Sequence, residues 1–409
     1  MDVLNGDMDH DVYMDYFQGF EELGFGKRTP GYALKLAKSI YGLKQAGRQW
    51  YKKLDSSLQS LGFVRVKSDN SIWVYRKDDV RIIIPAYVDD MFIATKERGR
   101  AQQVIQDLEK HFQVHDLGDV SFLLGVHIQR DRSKRTLTLS QRQYIVDLLE
   151  HYSMSDCAAV STPLDPNCKL SKEQCPQTDE DKASMRAYPY AQLVGSLMYL
   201  AIATRPDISY SVGLLGRFSS NPGLPHWKAA KHLLRYLKGT MDLKLEYAPD
   251  PSQTELFVTY CDADHGGDRD NKRSTSGMIV KMGTGAISWA SRLQTIATLS
   301  TTEAEFVSAV SAGQEIVWLR NLLSEIGYTF PGPSTLFVDN QSAIAVANNP
   351  EHHGRMKHLD LRFYWLRDVV ELGLIQVKHL RTDSMPADLL TKQLGRLKVN
   401  GLRQMMGLQ

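Results

Sequence analysis

The chain has 409 residues, 43% hydrophobic and 23% charged, enough apolar material for two or three separate cores. No stretch approaches the roughly 20 uninterrupted apolar residues of a membrane helix, and the acidic opening from Met1 to Asp15 is unlike a signal peptide, so a cytoplasmic or nuclear protein is expected and a membrane or secreted one is not. With 49 Lys and Arg against 47 Asp and Glu the net charge is +2, so bulk charge does not announce a nucleic-acid partner and any such reading rests on local pattern. Cys157, Cys168, Cys175 and Cys261 are too few for a disulfide scaffold; the first three sit in a polar stretch without nearby histidines, which argues for free thiols over a zinc site.

In chain order, the first informative stretch is Ser39-Ile40-Tyr41-Gly42-Leu43-Lys44-Gln45-Ala46-Gly47-Arg48-Gln49-Trp50-Tyr51, followed by Leu61-Gly62-Phe63. Lys44, Arg48, Lys52 and Lys53 form a basic cluster there, a candidate for contacts with phosphate. Next, Ile82-Ile83-Ile84-Pro85-Ala86 leads into Tyr87-Val88-Asp89-Asp90 and Met91-Phe92-Ile93-Ala94 leads away, which predicts two strands with the acidic pair on the turn between them. Adjacent carboxylates repel, and keeping both ionised on a buried turn is costly unless a cation compensates. Oxygen ligands suit Mg²⁺, and a pair of such ions about 4 Å apart clamps the attacking and leaving oxygens of a phosphoryl transfer. The plainer alternative is a solvated turn pair.

In order and spacing these segments resemble the α+β palm of reverse transcriptases from copia-type long-terminal-repeat retrotransposons. The resemblance implies RNA-directed DNA polymerase chemistry on template RNA and DNA, with Asp89, Asp90 and Asp2 as catalytic metal ligands. It also has a gap. The family pattern separates Met-Asp-Val from Leu-Asn-Gly-Asp by four residues, whereas here Met1-Asp2-Val3 runs directly into Leu4-Asn5-Gly6-Asp7, and the fingers region that precedes this strand in the family is absent. A strand needs several paired residues to hold a carboxylate in place. The expectation is therefore a truncated palm with impaired polymerase activity. Gly47 stands where the family usually has proline, loosening the backbone before Arg48.

Residues 116–128, Asp116-Leu117-Gly118-Asp119-Val120-Ser121-Phe122-Leu123-Leu124-Gly125-Val126-His127-Ile128, resemble the family's primer-gripping strand pair, and a hairpin at 131–135 and a helix over 141–152 complete a reverse-transcriptase part assigned to 1–160. Residues 161–189 turn polar and read as an exposed linker. A helical thumb and connection region is expected over 190–249, where Gly195-Ser196-Leu197-Met198-Tyr199-Leu200 and Ala203-Thr204-Arg205-Pro206-Asp207-Ile208 resemble the segment joining polymerase to nuclease. Within it, Lys228, Lys231, Arg235 and Lys238 recur three or four apart on a helix over 227–238, opposite Leu233, Leu234 and Leu237. A phosphate-tracking face and an ordinary solvated face both fit that pattern.

The last third carries four carboxylates on predicted strand ends and helix starts. A strand delivers Asp262 at its end, and two further strands over 277–282 and 286–290 follow. A helix capped by Thr301 or Thr302 would place Glu305 in its first turn. A later strand delivers Asp339, and Met385-Pro386-Ala387-Asp388 opens a short helix. A sheet gathers such ends at one edge, where clustered negative charge binds two Mg²⁺. Glu303 reads as a capping residue, and Asp264 with Gly266-Gly267-Asp268 as a turn.

Tyr260-Cys261-Asp262-Ala263-Asp264, Leu299-Ser300-Thr301-Thr302-Glu303-Ala304-Glu305-Phe306, Val338-Asp339-Asn340-Gln341-Ser342-Ala343 and Met385-Pro386-Ala387-Asp388 together resemble the ribonuclease H domain of copia-type elements. The resemblance implies an α/β domain with a mixed central sheet over 250–395, a tail at 396–409, and Asp262, Glu305, Asp339 and Asp388 as catalytic ligands of two Mg²⁺ ions, Mn²⁺ being an alternative. Lys357-His358-Leu359-Asp360 also looks like a family signature, with His358 either aiding product release or structural, and His265 stands where the family usually has tryptophan. The expected substrate is the RNA strand of an RNA–DNA hybrid, recognised by backbone shape and the 2′-hydroxyl. The alternative is a degenerate or host-retained module that binds nucleic acid without turnover.

Overall fold

The computed structural model describes residues 6–348 and 360–409. Among the described residues it is a mixed α/β protein with several sheets and eleven α-helices. Residues 1–120 with 320–329 form one compact unit, and 121–319 with 330–409 form a second.

In the first unit, β1 (Tyr13–Met14) and β2 (Leu34–Lys35) make a small antiparallel ladder, and α1 (Ala46–Ser60) follows. Strands β3 (Val64–Arg65), β4 (Ile72–Lys77), β5 (Val80–Tyr87) and β6 (Asp90–Met91) pair antiparallel in that order. Strand β7 (Ala94–Thr95) also pairs with β5, and α2 (Arg98–Glu109) completes the unit. Ile82 and Ile84 alternate inward from β5, while Trp50, Leu54 and Leu58 recur every four residues along α1, so sheet and helix each present one apolar face to a shared core. Trp73 of that core donates from Nε1 to Asp55 Oδ1 at 2.8 Å, which gives its buried N–H a partner and ties β4 to α1.

The second unit opens with β8 (Phe122–Leu123), β9 (Val126–Asp131) and β10 (Thr136–Ser140), followed by α3 (Arg142–His151), α4 (Asp179–Met185), α5 (Tyr190–Ala203), α6 (Ser209–Gly216) and α7 (Leu224–Gly239). Strand β11 (Leu245–Tyr247) closes a four-stranded sheet ordered β11-β10-β9-β8. Then come β12 (Val258–Ala263), β13 (Thr275–Met282), β14 (Gly285–Leu293), α8 (Thr301–Glu325), β15 (Ser334–Val338), α9 (Gln341–Asn348), α10 (Asp360–Glu371), β16 (Ile375–His379), a 3₁₀ turn (Pro386–Leu390) and α11 (Arg396–Met405). The five strands order as β14-β13-β12-β15-β16, antiparallel from β14 to β12 and parallel from β12 to β16. The sheet is therefore mixed.

Two boundary expectations change. The exposed linker expected over 161–189 fails in its first half, where Leu164 and Leu170 are buried in the second unit's core, whereas 177–184 are exposed and Thr178 caps α4 by accepting from Asp181 N. The polar composition hid them because only isolated large apolar residues interrupt it. Residues 396–409 are not a tail either, since α11 buries Val399 and Leu402, and Glu246 N donates to Gly407 O at 2.8 Å. Within the 1–160 reverse-transcriptase part, β8 and β9 fall in the second compact unit, where β10 and β11 complete their ladder. One continuous core joins Leu197 of α5, Leu233 of α7, Ile279 of β13 and Met406, so the helical block and the mixed sheet are a single packing unit.

Inside that core Arg205 and Asp207 are both 1% exposed. They pair through two nitrogens at 2.9 and 2.7 Å, with Tyr236 Oη donating to Asp207 at 2.7 Å and Arg205 Nη1 donating to Thr240 O at 3.1 Å. Each buried charge is thus satisfied, and the motif at 203–208 fastens α5 and α6 to α7.

Candidate metal centre

The acidic pair in the first unit lies on the tight turn joining β5 to β6, where Tyr87 pairs with Asp90. Val88 takes φ 53°, a left-handed conformation that strains a β-branched residue, and its carbonyl accepts from Trp50 Nε1 at 2.7 Å. Tyr41 donates its hydroxyl to Asp89 Oδ2, Asp89 Oδ1 is a buried atom without a hydrogen-bond partner, and Asp90 is exposed. Asp2, expected to join them, lies outside the described residues, as do Lys357 and His358. Lys44 and Arg48 are exposed around the start of α1, whereas Lys53 pairs with Asp7 at 3.3 Å and Lys52 with Asp9 at 3.7 Å.

In the second unit the sheet register gathers the acids. β12 and β15 run parallel with Thr259 opposite Leu336 and Tyr260 opposite Phe337, so the same offset carries Asp262 and Asp339 to one level at neighbouring carboxyl ends. Asp262 is itself paired with Gly277 across the β12–β13 ladder. That glycine has a steric purpose: a Cβ there would meet Thr391 Cγ2 at 2.7 Å, Leu390 Cβ at 2.8 Å and Ala387 O at 2.9 Å. Its absence lets the 3₁₀ turn seat on the sheet and bring Asp388 beside Asp262. Oxygens of Asp262, Asp339 and Asp388 all lie within 4.8 Å of one another, so these three could hold a metal ion.

Helix α8 supplies the fourth acid. Ser300 accepts from Glu303 N at 3.2 Å, and Glu303 Oε2 accepts from Leu299 N at 2.7 Å, a reciprocal cap that starts the helix. Ser300 rather than a threonine is therefore the capping side chain, and Glu305 falls one residue beyond the first turn. Ser308 holds α8 to the sheet, donating to Asp262 O at 2.8 Å. Glu305 is buried, and its Oε2 has no hydrogen-bond partner. Burial first, then the charges of Asp262 and Asp339, push the Glu305 carboxyl up to about 9. Burial and Asp262 likewise push Asp388 up to about 6, with Lys392 opposing the shift. Asp339 is half-buried and accepts from Thr382 Oγ1 at 2.9 Å.

A family model described as "Reverse transcriptase (RNA-dependent DNA polymerase)" matches residues 1–166. The chain is 42% identical over 407 residues to the retrovirus-related Pol polyprotein from transposon TNT 1-94 of Nicotiana tabacum, covering 99% of this chain and 30% of that protein. It is 36% identical over 404 residues to the corresponding polyprotein from transposon RE1 of Arabidopsis thaliana, covering 99% of this chain and 26% of that one. Against the Ty5-1 transposon protein of Saccharomyces cerevisiae identity is 33% over 314 residues, covering 76% of this chain and 98% of that protein. The chain belongs to the copia-type Pol polyprotein family. It spans under a third of each of these plant polyproteins.

Within this Pol family chain, sequence reasoning missed two neighbours of the acids. Thr391 donates its hydroxyl to Asp262 Oδ2, and Lys392 Nζ lies 3.3 Å from Asp262 Oδ2 and 3.0 Å from Asp388 Oδ1. The signal was available, since Lys392 follows Asp388 at helical i,i+4 spacing. Asp264 is no simple solvated turn residue: it accepts from Thr275 N, and burial pushes its carboxyl up to about 6. On α7, Lys228 is exposed and Lys231 half-buried, but Arg235 Nε donates to Ala158 O at 2.7 Å and Lys238 donates to Ser155 O. Two of the four basic residues thus hold the 155–158 segment.

Proposed function

We propose that the second unit is a ribonuclease H-type phosphodiesterase that hydrolyses the RNA strand of RNA–DNA hybrids with Mg²⁺ or Mn²⁺. The observation that carries this reading is the convergence of Asp262, Asp339 and Asp388 within 4.8 Å beside the buried, unpartnered Oε2 of Glu305. An all-carboxylate donor set suits a hard divalent cation, and an orphaned buried oxygen beside three more acids is costly unless a cation completes it. Asp262, Glu305, Asp339 and Asp388 would hold the ions. Two such ions, when bound, supply a hydroxide nucleophile at neutral pH and neutralise charge on the departing 3′ oxygen.

The chain's own residues prepare that chemistry. Ser308 and Gly277 fix the strand and the turn, Thr391 and Thr382 orient carboxylate oxygens, and burial of Glu305 raises the value of any cation brought to it. Exposed Lys44, Arg48 and Lys228 supply positive charge for phosphate backbones of hybrid, template RNA or DNA.

For the first unit we propose impaired polymerase activity. Asp89 is held by Tyr41, Asp90 faces solvent, and the segment that would supply a third acid is shorter by four residues than the family pattern.

The test is cleavage of a labelled hybrid in Mg²⁺. Asp339→Asn keeps size while lowering the negative potential, so cleavage drops by orders of magnitude. Asp89→Asn and Glu303→Gln leave it near wild type, and primer extension stays at background. Folded wild-type protein without Mg²⁺-dependent hybrid cleavage would hand the reading to the alternative, nucleic-acid binding without turnover.

A further inference from the structure

Lys392 occupies the place where the acidic centre most needs positive charge. Its Nζ lies 3.3 Å from Asp262 Oδ2 and 3.0 Å from Asp388 Oδ1, and both aspartates are 1% exposed. Two carboxylates buried that deeply cannot both stay ionised without a compensating charge. The lysine side chain is 37% exposed, so its flexible stem has an open path to solvent. Thr391 Oγ1, which donates to Asp262 and lies 3.2 Å from Asp388 O, holds the turn that presents Lys392.

We infer that Lys392 is the centre's resident counter-cation: its ammonium bridges Asp262 and Asp388 in the metal-free chain and leaves that bridge when a divalent ion takes the same carboxylates. This rests on the proposed metal centre and adds a competitor within it. Mg²⁺ binds carboxylate oxygens at about 2.1 Å, so an ion held by these two acids would crowd and repel an ammonium 3.3 and 3.0 Å from their oxygens. The lysine thereby keeps the metal-free acids folded while lowering their apparent affinity for metal.

The experiment is calorimetric titration of the full chain with MgCl₂, without nucleic acid, for wild type, Lys392→Met and Lys392→Arg. Lys392→Met binds Mg²⁺ about ten-fold more tightly and melts at lower temperature in EDTA, while Lys392→Arg stays near wild type. A second measurement uses wild type alone and stands even where Lys392→Met does not fold. Acetic anhydride labelling, read by peptide mass spectrometry, modifies Lys392 several-fold faster with Mg²⁺ than with EDTA, against exposed Lys398 as internal reference. Mg²⁺ binding by wild type with no tightening in folded Lys392→Met, or Mg²⁺-independent labelling of Lys392, overturns this inference and leaves the metal centre standing. Failure of both wild type and folded Lys392→Met to bind Mg²⁺ or Mn²⁺ overturns both.

Discussion

The two acidic centres of this chain differ in what holds them. Asp89 and Asp90 share one hairpin turn, so their placement depends on a single strained residue, Val88, and on contacts from Tyr41 and Trp50. Asp262, Asp339 and Asp388 come from a central strand, its parallel neighbour and a turn seated through Gly277, with Glu305 added from a capped helix. A centre assembled from several rigid elements keeps its geometry when one loop moves, whereas adjacency in sequence guarantees proximity but not burial. Among the described residues, one turn holds the first pair and four elements hold the second set.

The glycines sharpen that comparison with the largest stability effect. Gly277→Ala forces the Ala387–Thr391 backbone and side chains off the sheet, costing about 1–3 kcal/mol and weakening Mg²⁺ binding. Near the hairpin, Gly47 on α1 has open space where a Cβ would go, so Gly47→Ala stabilises by about 0.5–1 kcal/mol. Thermal melts of both variants with and without Mg²⁺ check the contrast. Equal effects would mean the turn is not seated as described.

A pH series probes the same difference. Because the folded chain holds a proton on Glu305 up to about 9, against an ordinary value of 4.5, and on Asp388 up to about 6, against 3.8, the folded state binds more protons than the unfolded chain in those windows. Stability in EDTA therefore falls as pH rises from about 5 to 9, with the Glu305 contribution spanning the whole range. Glu305→Gln flattens the slope, and saturating Mg²⁺ reduces it. Melting temperatures across that range that are flat, or that rise, would remove the proposed cause.

Charge reversal on α7 carries the smallest effect. Lys231→Glu with Arg235→Glu lowers hybrid affinity and makes its salt dependence shallower, and loss of the Arg235–Ala158 hydrogen bond costs about 1 kcal/mol of stability. Unchanged affinity and salt slope with only the stability loss would make α7 a structural face.

How far the sequence could be read follows from the range of the interactions involved. The strands around Asp262 and Asp339 were legible because apolar runs ended on acids, and Glu303 as a cap was legible from Ser300-Thr301-Thr302-Glu303. Strand β11 completing the β8-to-β10 sheet was not, since a three-residue strand pairs with a partner over a hundred residues earlier and carries no local signal of that pairing. The burial of α11 was available in Val399, Leu402 and Met406 at helical spacing, but their small number amid polar residues disguised it. For Lys392 the i,i+4 spacing signalled the pairing with Asp388, but the contact with Asp262 carried no local signal, because it depends on the 3₁₀ turn from Pro386 seating on the sheet.

Iron-directed cleavage of the polypeptide reports where on the chain a divalent ion is held. Fe²⁺ replaces Mg²⁺ in oxygen-ligand sites, and with ascorbate and peroxide it cuts backbone close to where it is bound. Cuts are expected around Asp262, Asp339 and Asp388 that excess Mg²⁺ suppresses and Asp339→Asn abolishes, with little cutting between Tyr87 and Met91. Mg²⁺-sensitive cuts confined to the Asp89–Asp90 hairpin, or no such cuts at the three aspartates of the second unit, would contradict this expectation.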